Sequence, residues 1–235
     1  LKKLIPLLRP DVPYLTLVQN DEGLGHFQLM DNILVLSAGG NGHVPVPLYK
    51  QEEPLTENPR SERKWLLSYA GSLGHAPQDM RYRMHNYLSQ AANGSYAHFY
   101  VQRQKAWKNL MEDSWVSLAP RGVGRTSYHL MEIIQRGHIP VHIYLDVPWV
   151  PYRKLYEEKV GFAVTVEDLP SLLRTLRNMT SQDFLKQQQR IASYRETHFT
   201  PKGVMDQIQL FLKGAGDLEC VAKPSNPTYD GTVAK

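Results

Sequence analysis

Apolar residues fall along this chain in short blocks separated by polar turns. Residues 13–19 (PYLTLVQ) and 32–38 (NILVLSA) are brief runs rich in Leu and Val, bounded by turn formers, and read as strands. The run GGNGHVPVP at 39–47 is turn chemistry, and the polar, Pro-containing stretch 49–63 reads as a linker or surface loop. From residue 64 strands and helices alternate. KWLLSYAG is a strand ending in glycine, APQDMRYRMHNYLSQA a helix, 97–102 a strand, 105–113 a short helix and 114–120 (SWVSLAP) a strand. A helix over 127–136 follows, with Thr126 or Ser127 as its N-cap and Gly137 as its stop. HIPVHIYL and 161–166 (GFAVTV) are further strands. The next helix opens on Asp168 as a cap and sets Leu169, Leu172, Leu173, Leu176 and Met179 on one face. Helices at about 181–196 and 201–213 close the series, with Gly214 behind the last.

This alternation predicts an α/β fold: a Rossmann-like parallel sheet with helices on both faces. The domain reading is a first part over 1–63, the α/β unit over 64–214, and a Pro-, Gly- and Thr-rich tail over 215–235 that reads as disordered. In such sheets ligands bind beyond the carboxyl ends of the strands, at a switch point in strand order. The stretch SLAPRGVGRTSYHLMEIIQRGHIPVHIYLD, residues 117–146, has the strand–loop–helix form such a place requires.

Composition narrows the field only a little. The 235 residues allow one large domain or two small ones, and 42% hydrophobic with 21% charged residues is ordinary for a globular protein. A net charge of +4 suits an anionic ligand, but no Lys/Arg run is dense enough to argue for nucleic acid. Cys220 is the sole cysteine, so no intrachain disulfide or Cys-based metal site exists. No stretch has the apolar length of a membrane span. Two N-glycosylation sequons, Asn93-Gly-Ser and Asn178-Met-Thr, permit a secretory location without establishing one.

The loop at 121–127 carries the candidate chemistry. A helix N-terminus offers free N–H groups and a positive dipole end to an anion. Gly122 and Gly124 let the backbone approach a ligand, and Arg121 and Arg125 offer forked hydrogen bonds to phosphate oxygens. Glu132, farther along the helix, is a carboxylate that accepts hydrogen bonds from a ribose diol. Together they read as a nucleotide-diphosphate site, although the loop is neither a Walker A motif nor a full GxGxxG. The same residues also suit an ordinary βα turn with solvated arginines. Arg81 and Arg83, on the helix after a second glycine loop, add charge; two positions apart, they point in different directions. The run SAGGNGH suits an anion nest or a plain turn. His43, His138 and His142 stand at no metal-ligand spacing, and there is no Ser/His/Asp set, HExxH or DxD pair.

The segment from Trp65 to Phe211 resembles the exostosin family of glycosyltransferases. The likeness rests on LLSYAG, the Arg81/Arg83 helix, the 117–146 stretch and FAVTVEDLPSLLRTL. Its most specific part is a strand ending in Pro-Arg-Gly, a Ser, a Glu-containing helix, then Gly-x-Ile-Pro-Val and an Asp. The resemblance implies a GT-B fold, of which this chain holds the C-terminal lobe and a truncated N-terminal one. It implies inverting transfer from a UDP- or GDP-linked sugar to a glycan or glycoprotein acceptor, with no obligatory metal or other cofactor. It also implies a Golgi or other secretory-pathway location, and it leaves room for a membrane anchor outside this chain. By motif match, Arg121, Gly122, Gly124 and Arg81 or Arg83 face the diphosphate, Ser127 a phosphate or ribose, Glu132 the ribose, and Asp146 belongs to the same site. The chain departs from the pattern at His138, where the family has Cys, and at EEKVGF, where a Trp is usual. The 64 residues before Trp65 are too few for a full N-terminal lobe, so the chain reads as a fragment, an incomplete frame or a reduced protein. Asp21, Glu22, His26 and His43 lie there, and none has the motif of a catalytic base. A non-catalytic nucleotide- or sugar-binding module is the competing reading; a basic nucleic-acid-binding domain is a weaker one.

Overall fold

The computed structural model describes residues 4–21, 23–24, 30–49, 51–56, 61–100 and 104–221. Glu22, His26 and residues 222–235 of the expected tail lie outside them, as do 101 and 102 of an expected strand. Among the described residues eight strands form two parallel sheets. The small sheet has the order β1–β2–β3, from β1 (Tyr14–Val18), β2 (Ile33–Ser37) and β3 (Val44–Pro45). The large sheet is built from β4 (Trp65–Ala70), β5 (Tyr96–Phe99), β6 (Ser114–Pro120), β7 (Ile139–Ile143) and β8 (Phe162–Val164), in the order β5–β4–β6–β7–β8. The expected α/β class and parallel pairing are what is found. β3 falls inside the stretch whose composition predicts only turn.

The helices are α1 (Met80–Ala91), α2 (Gln104–Glu112), α3 (Tyr128–Gln135), α4 (Leu169–Asn178), α5 (Ser181–Tyr194) and α6 (Pro201–Leu212). β7 is buried at every position and β6 at all but one. Strands covered on both faces are mainly apolar, and these are so apart from the buried Ser114, Ser117 and His142. Gly137 takes φ 76°, where a left-handed residue ends α3. Asp168 stands at the N-cap position of α4 as expected but makes no capping bond: its carboxylate accepts from the amide and hydroxyl of Thr165, at 3.0 and 2.8 Å. α5 has a full capping box. The Thr180 hydroxyl accepts from the Asp183 amide at 3.2 Å, and the Thr180 amide donates to the Asp183 carboxylate at 2.8 Å. Thr180→Ala is expected to lower stability by about 1 kcal/mol, read by urea unfolding.

The two sheets share one core. Leu36, Val44, Val46 and Leu48 pack in the same cluster as Leu118, Val141 and Ile143. Residues 51–56 cross the amino edge of the large sheet. There the Glu53 amide donates to Gln135 Oε1 at 2.9 Å, and Arg195 donates to the Glu53 carbonyl at 2.8 Å. At the opposite, carboxyl edge the loops after β1, β2 and β6 meet backbone to backbone. A Cβ at Gly23 would strike the Gly40 carbonyl, and one at Gly39 the Asn20 carbonyl. Trp149, buried in the loop after β7, donates Nε1–H to the Ser37 carbonyl at 2.9 Å.

Candidate functional site

The strand order of the large sheet reverses direction between β4 and β6, so the crevice for a ligand lies where these two strands end. Residues 121–127 leave β6 there. Arg81, in the first turn of α1, reaches over the same place. Its Nε donates to the Arg121 carbonyl at 3.0 Å, and its terminal nitrogens donate to the carbonyls of Ser72 (3.0 Å), Gly74 and Pro120 (both 3.3 Å). Arg81 therefore stitches the loops after β4 and β6 together. Arg83, two positions on, points away and pairs with Glu167 at the exposed surface. Arg83→Ala is expected to leave nucleotide affinity unchanged within twofold, measured by isothermal titration.

Arg121 is buried. It donates to the carbonyls of Gly124 and Val123 and to Asp146 Oδ1, each at 3.0 Å. It thus folds its own loop into shape. Arg125 grips the other oxygen of the same carboxylate, at 2.8 and 2.9 Å, lies over the Trp149 ring and reaches Asn41 Oδ1 at 3.4 Å. The Arg121 pKa is lowered, chiefly by burial; Asp146 works upward and Arg125 downward again. For Asp146, burial works upward. The Val147 amide, Arg125 and Arg121 outweigh it and hold the carboxyl below its usual value. His142 on β7, fully buried, is held down to about 4 by that burial, so at pH 7 it adds no charge here.

The two loop glycines differ. A Cβ on Gly122 would meet nothing closer than an Arg81 nitrogen at 3.6 Å and the Thr126 carbonyl at 3.7 Å. A Cβ on Gly124 would lie 2.5 Å from the Asp21 carbonyl and 2.8 Å from that of Gly39. Gly124 serves the seam between the sheets, while a Cβ at Gly122 would meet its neighbours only at ordinary contact distance, and the Gly122 amide donates to the Thr126 carbonyl at 3.0 Å. Ser127 occupies the N-cap position of α3 with extended backbone (φ −146°), but its hydroxyl makes no capping bond. That oxygen is buried and without a hydrogen-bond partner among the described residues. Glu132 accepts or shares a proton with His129 Nδ1 at 3.0 Å, and His129 stands edge-on to Trp107 of α2.

The structure thus gathers Arg81, Arg121, Gly122, Gly124, Ser127 and Asp146 at the ends of β4, β6 and β7, and sets Arg83 elsewhere. Sequence reasoning did not foresee that Gly39 and Asn41 of the small sheet join this loop, through the Arg125 amide (2.7 Å to the Gly39 carbonyl) and side chain. The only signal for it was the GGNG run. Among the described residues no group of three His, Cys, Asp or Glu side chains is placed to hold a metal ion.

No family model matches the chain, and no curated protein matches it. Among solved structures it is similar to TarM (TM-score 0.47, 8% identity, 76% of this chain and 39% of that one). It is similar also to the GtfA/B complex (0.44, 11%, 85% and 45%) and to Acinetobacter baumannii MurG (0.38, 11%, 78% and 57%). The chain spans about two fifths to three fifths of their lengths.

Proposed function

We propose that this chain is the donor-binding part of an inverting glycosyltransferase of exostosin type, with a GT-B arrangement of two sheets. The observation that carries the reading is the buried, unpartnered Ser127 hydroxyl at the start of α3, at the end of the loop that carries Arg121 and Arg125. An unsatisfied buried hydroxyl costs about 1–3 kcal/mol, and a phosphate or ribose oxygen at the helix N-terminus would remove that cost. The excess positive charge at the same place meets a diphosphate.

In this reading an acceptor hydroxyl attacks the anomeric carbon from the face opposite the nucleotide. The bond from that carbon to the diphosphate oxygen breaks, and negative charge grows on the leaving group. Arg81, Arg125 and the α3 N-terminus stabilise that charge without a metal ion, by groups already in place. Arg121 shapes the loop around Gly122, and Asp146 fixes both loop arginines until phosphate competes for Arg125. Glu132, oriented by His129, takes the ribose diol. The donor is a UDP- or GDP-linked sugar, the acceptor a glycan or glycoprotein, and the setting the secretory lumen, with any membrane anchor outside this chain.

Isothermal titration with UDP, GDP and the free nucleosides tests the site. Ser127→Ala is expected to weaken the diphosphates five- to tenfold while leaving chain stability unchanged or higher. Equal affinity in variant and parent removes the assignment. Radiolabelled transfer to glycan acceptors then separates an enzyme from the second reading, a nucleotide- or sugar-binding module.

A further inference from the structure

The two sequons stand 85 residues apart in sequence, yet the fold brings them side by side. Asn93 lies in the turn between α1 and β5, and Asn178 is the last residue of α4. Both side chains are exposed. Asn93 takes the left-handed conformation, φ 54°, and a Cβ on the following Gly94 would meet nothing within 4 Å. The turns are joined directly: Arg177, just before Asn178, donates to the carbonyl of Ala91, two residues before Asn93, at 2.7 Å.

Both turns sit on the amino edge of the large sheet. α1 and α4 each begin at the carboxyl edge and run the height of the sheet before reaching them. At 1.5 Å per residue, helices of 12 and 10 residues place the two asparagines about 15–18 Å from the level of Arg81 and Arg121. The third Asn-x-Thr triplet, at Asn226, has proline in the middle and is not a sequon.

We infer that Asn93 and Asn178 are paired acceptor sites for N-linked oligosaccharide, which would cover one rim of the molecule and leave the carboxyl edge open. The side-chain amide nitrogen of each asparagine bonds to the anomeric carbon of a lipid-diphosphate-linked oligosaccharide. That carbon's bond to the diphosphate breaks, and the lipid diphosphate leaves as the amide loses a proton. The Ser95 and Thr180 hydroxyls are engaged in the folded chain, by the Ala92 carbonyl and by Asp183. Transfer therefore precedes closure of these turns. Nothing in the folded turns resists a glycan afterwards, because both asparagines project into solvent.

The test is secretion of the 235-residue chain from eukaryotic cells behind a cleavable leader. Digestion with an amidase that converts glycosylated Asn to Asp should lower the apparent mass in two steps. Peptides covering positions 93 and 178 should both read Asp. Asn178→Gln should remove one step. Ser95→Ala, which keeps Asn93 in its left-handed turn, should remove the other. Deglycosylation should leave UDP and GDP affinity, where present, within twofold. A secreted chain that carries no glycan, or one only, overturns the pairing. Glycans at both sites with no nucleotide binding uphold it and count against the donor site alone.

Discussion

Asp146→Ala should destabilise the chain by about 1–3 kcal/mol and make its stability more responsive to nucleotide diphosphate than that of the parent. The carboxylate holds Arg121 Nη1 at 3.0 Å and Arg125 Nη2 at 2.8 Å, and both arginines are largely withdrawn from solvent. Removing it leaves two like charges adjacent and desolvated. The full cost of breaking a buried pair, about 3–5 kcal/mol, is discounted because Asp146 itself is 43% exposed. Its folded pKa is depressed, so its stabilisation is present above the unfolded carboxyl pKa, about 3.9, and is lost as pH falls through the lower folded value. Parent and variant should therefore differ at pH 7 and converge in acid. If the loop binds diphosphate, UDP or GDP should stabilise the variant more than the parent, because the ligand supplies the missing negative charge. Equal stabilisation, or none, argues that these arginines only build the fold.

Gly124→Ala should cost about 2 kcal/mol of stability, while Gly122→Ala should cost almost none. The added methyl at 124 is driven 2.5 Å from one carbonyl and 2.8 Å from another, both backbone, so relief requires the sheets to separate at their seam. At 122 the same methyl lies in ordinary contact distance. The functional expectation is reversed. Gly122→Ala fills the space in which a phosphate would approach the backbone and should weaken UDP or GDP at least tenfold. Gly124→Ala at a temperature where it is folded should bind more nearly as the parent does. Thermal unfolding and titration on the same two variants decide it; a Gly122→Ala chain that binds normally places the ligand elsewhere.

How much of this was legible beforehand depended on whether the determinant was local. β6 is legible to the residue because the mainly apolar run SWVSLAP ends in Pro120, and α3 because Gly137 stops it. β3 was missed: two residues in a turn-rich run become a strand only by pairing Leu36 with Val44, a long-range fact. The 153–160 stretch, a single helical turn running into a wider π-type turn, has too little periodicity to read. Spacing showed that Arg81 and Arg83 diverge, but not which one faces β6. Choosing Arg81 required the position of α1 over the strand end. The Asp146 bridge spans 25 and 21 residues to its two arginines and leaves no mark on a local pattern, and neither does Trp149 reaching Ser37 across 112.

The segment 217–221 has a consequence for how the molecule comes apart. Asp217 bonds to His198 at 2.9 Å, Leu218 is buried in the common core, and the Val221 amide donates to the His43 carbonyl of the small sheet at 2.8 Å. The small sheet is thus tied to the rest by the crossing at 51–56, by the glycine seam, by Trp149 and Arg125, and by a return from the far end of the sequence. It cannot melt ahead of the large sheet without releasing that return and exposing the shared core. Heating should give one calorimetric transition whose enthalpy matches its van't Hoff value, and amide protons in β2 should exchange only through global opening, like those of β6.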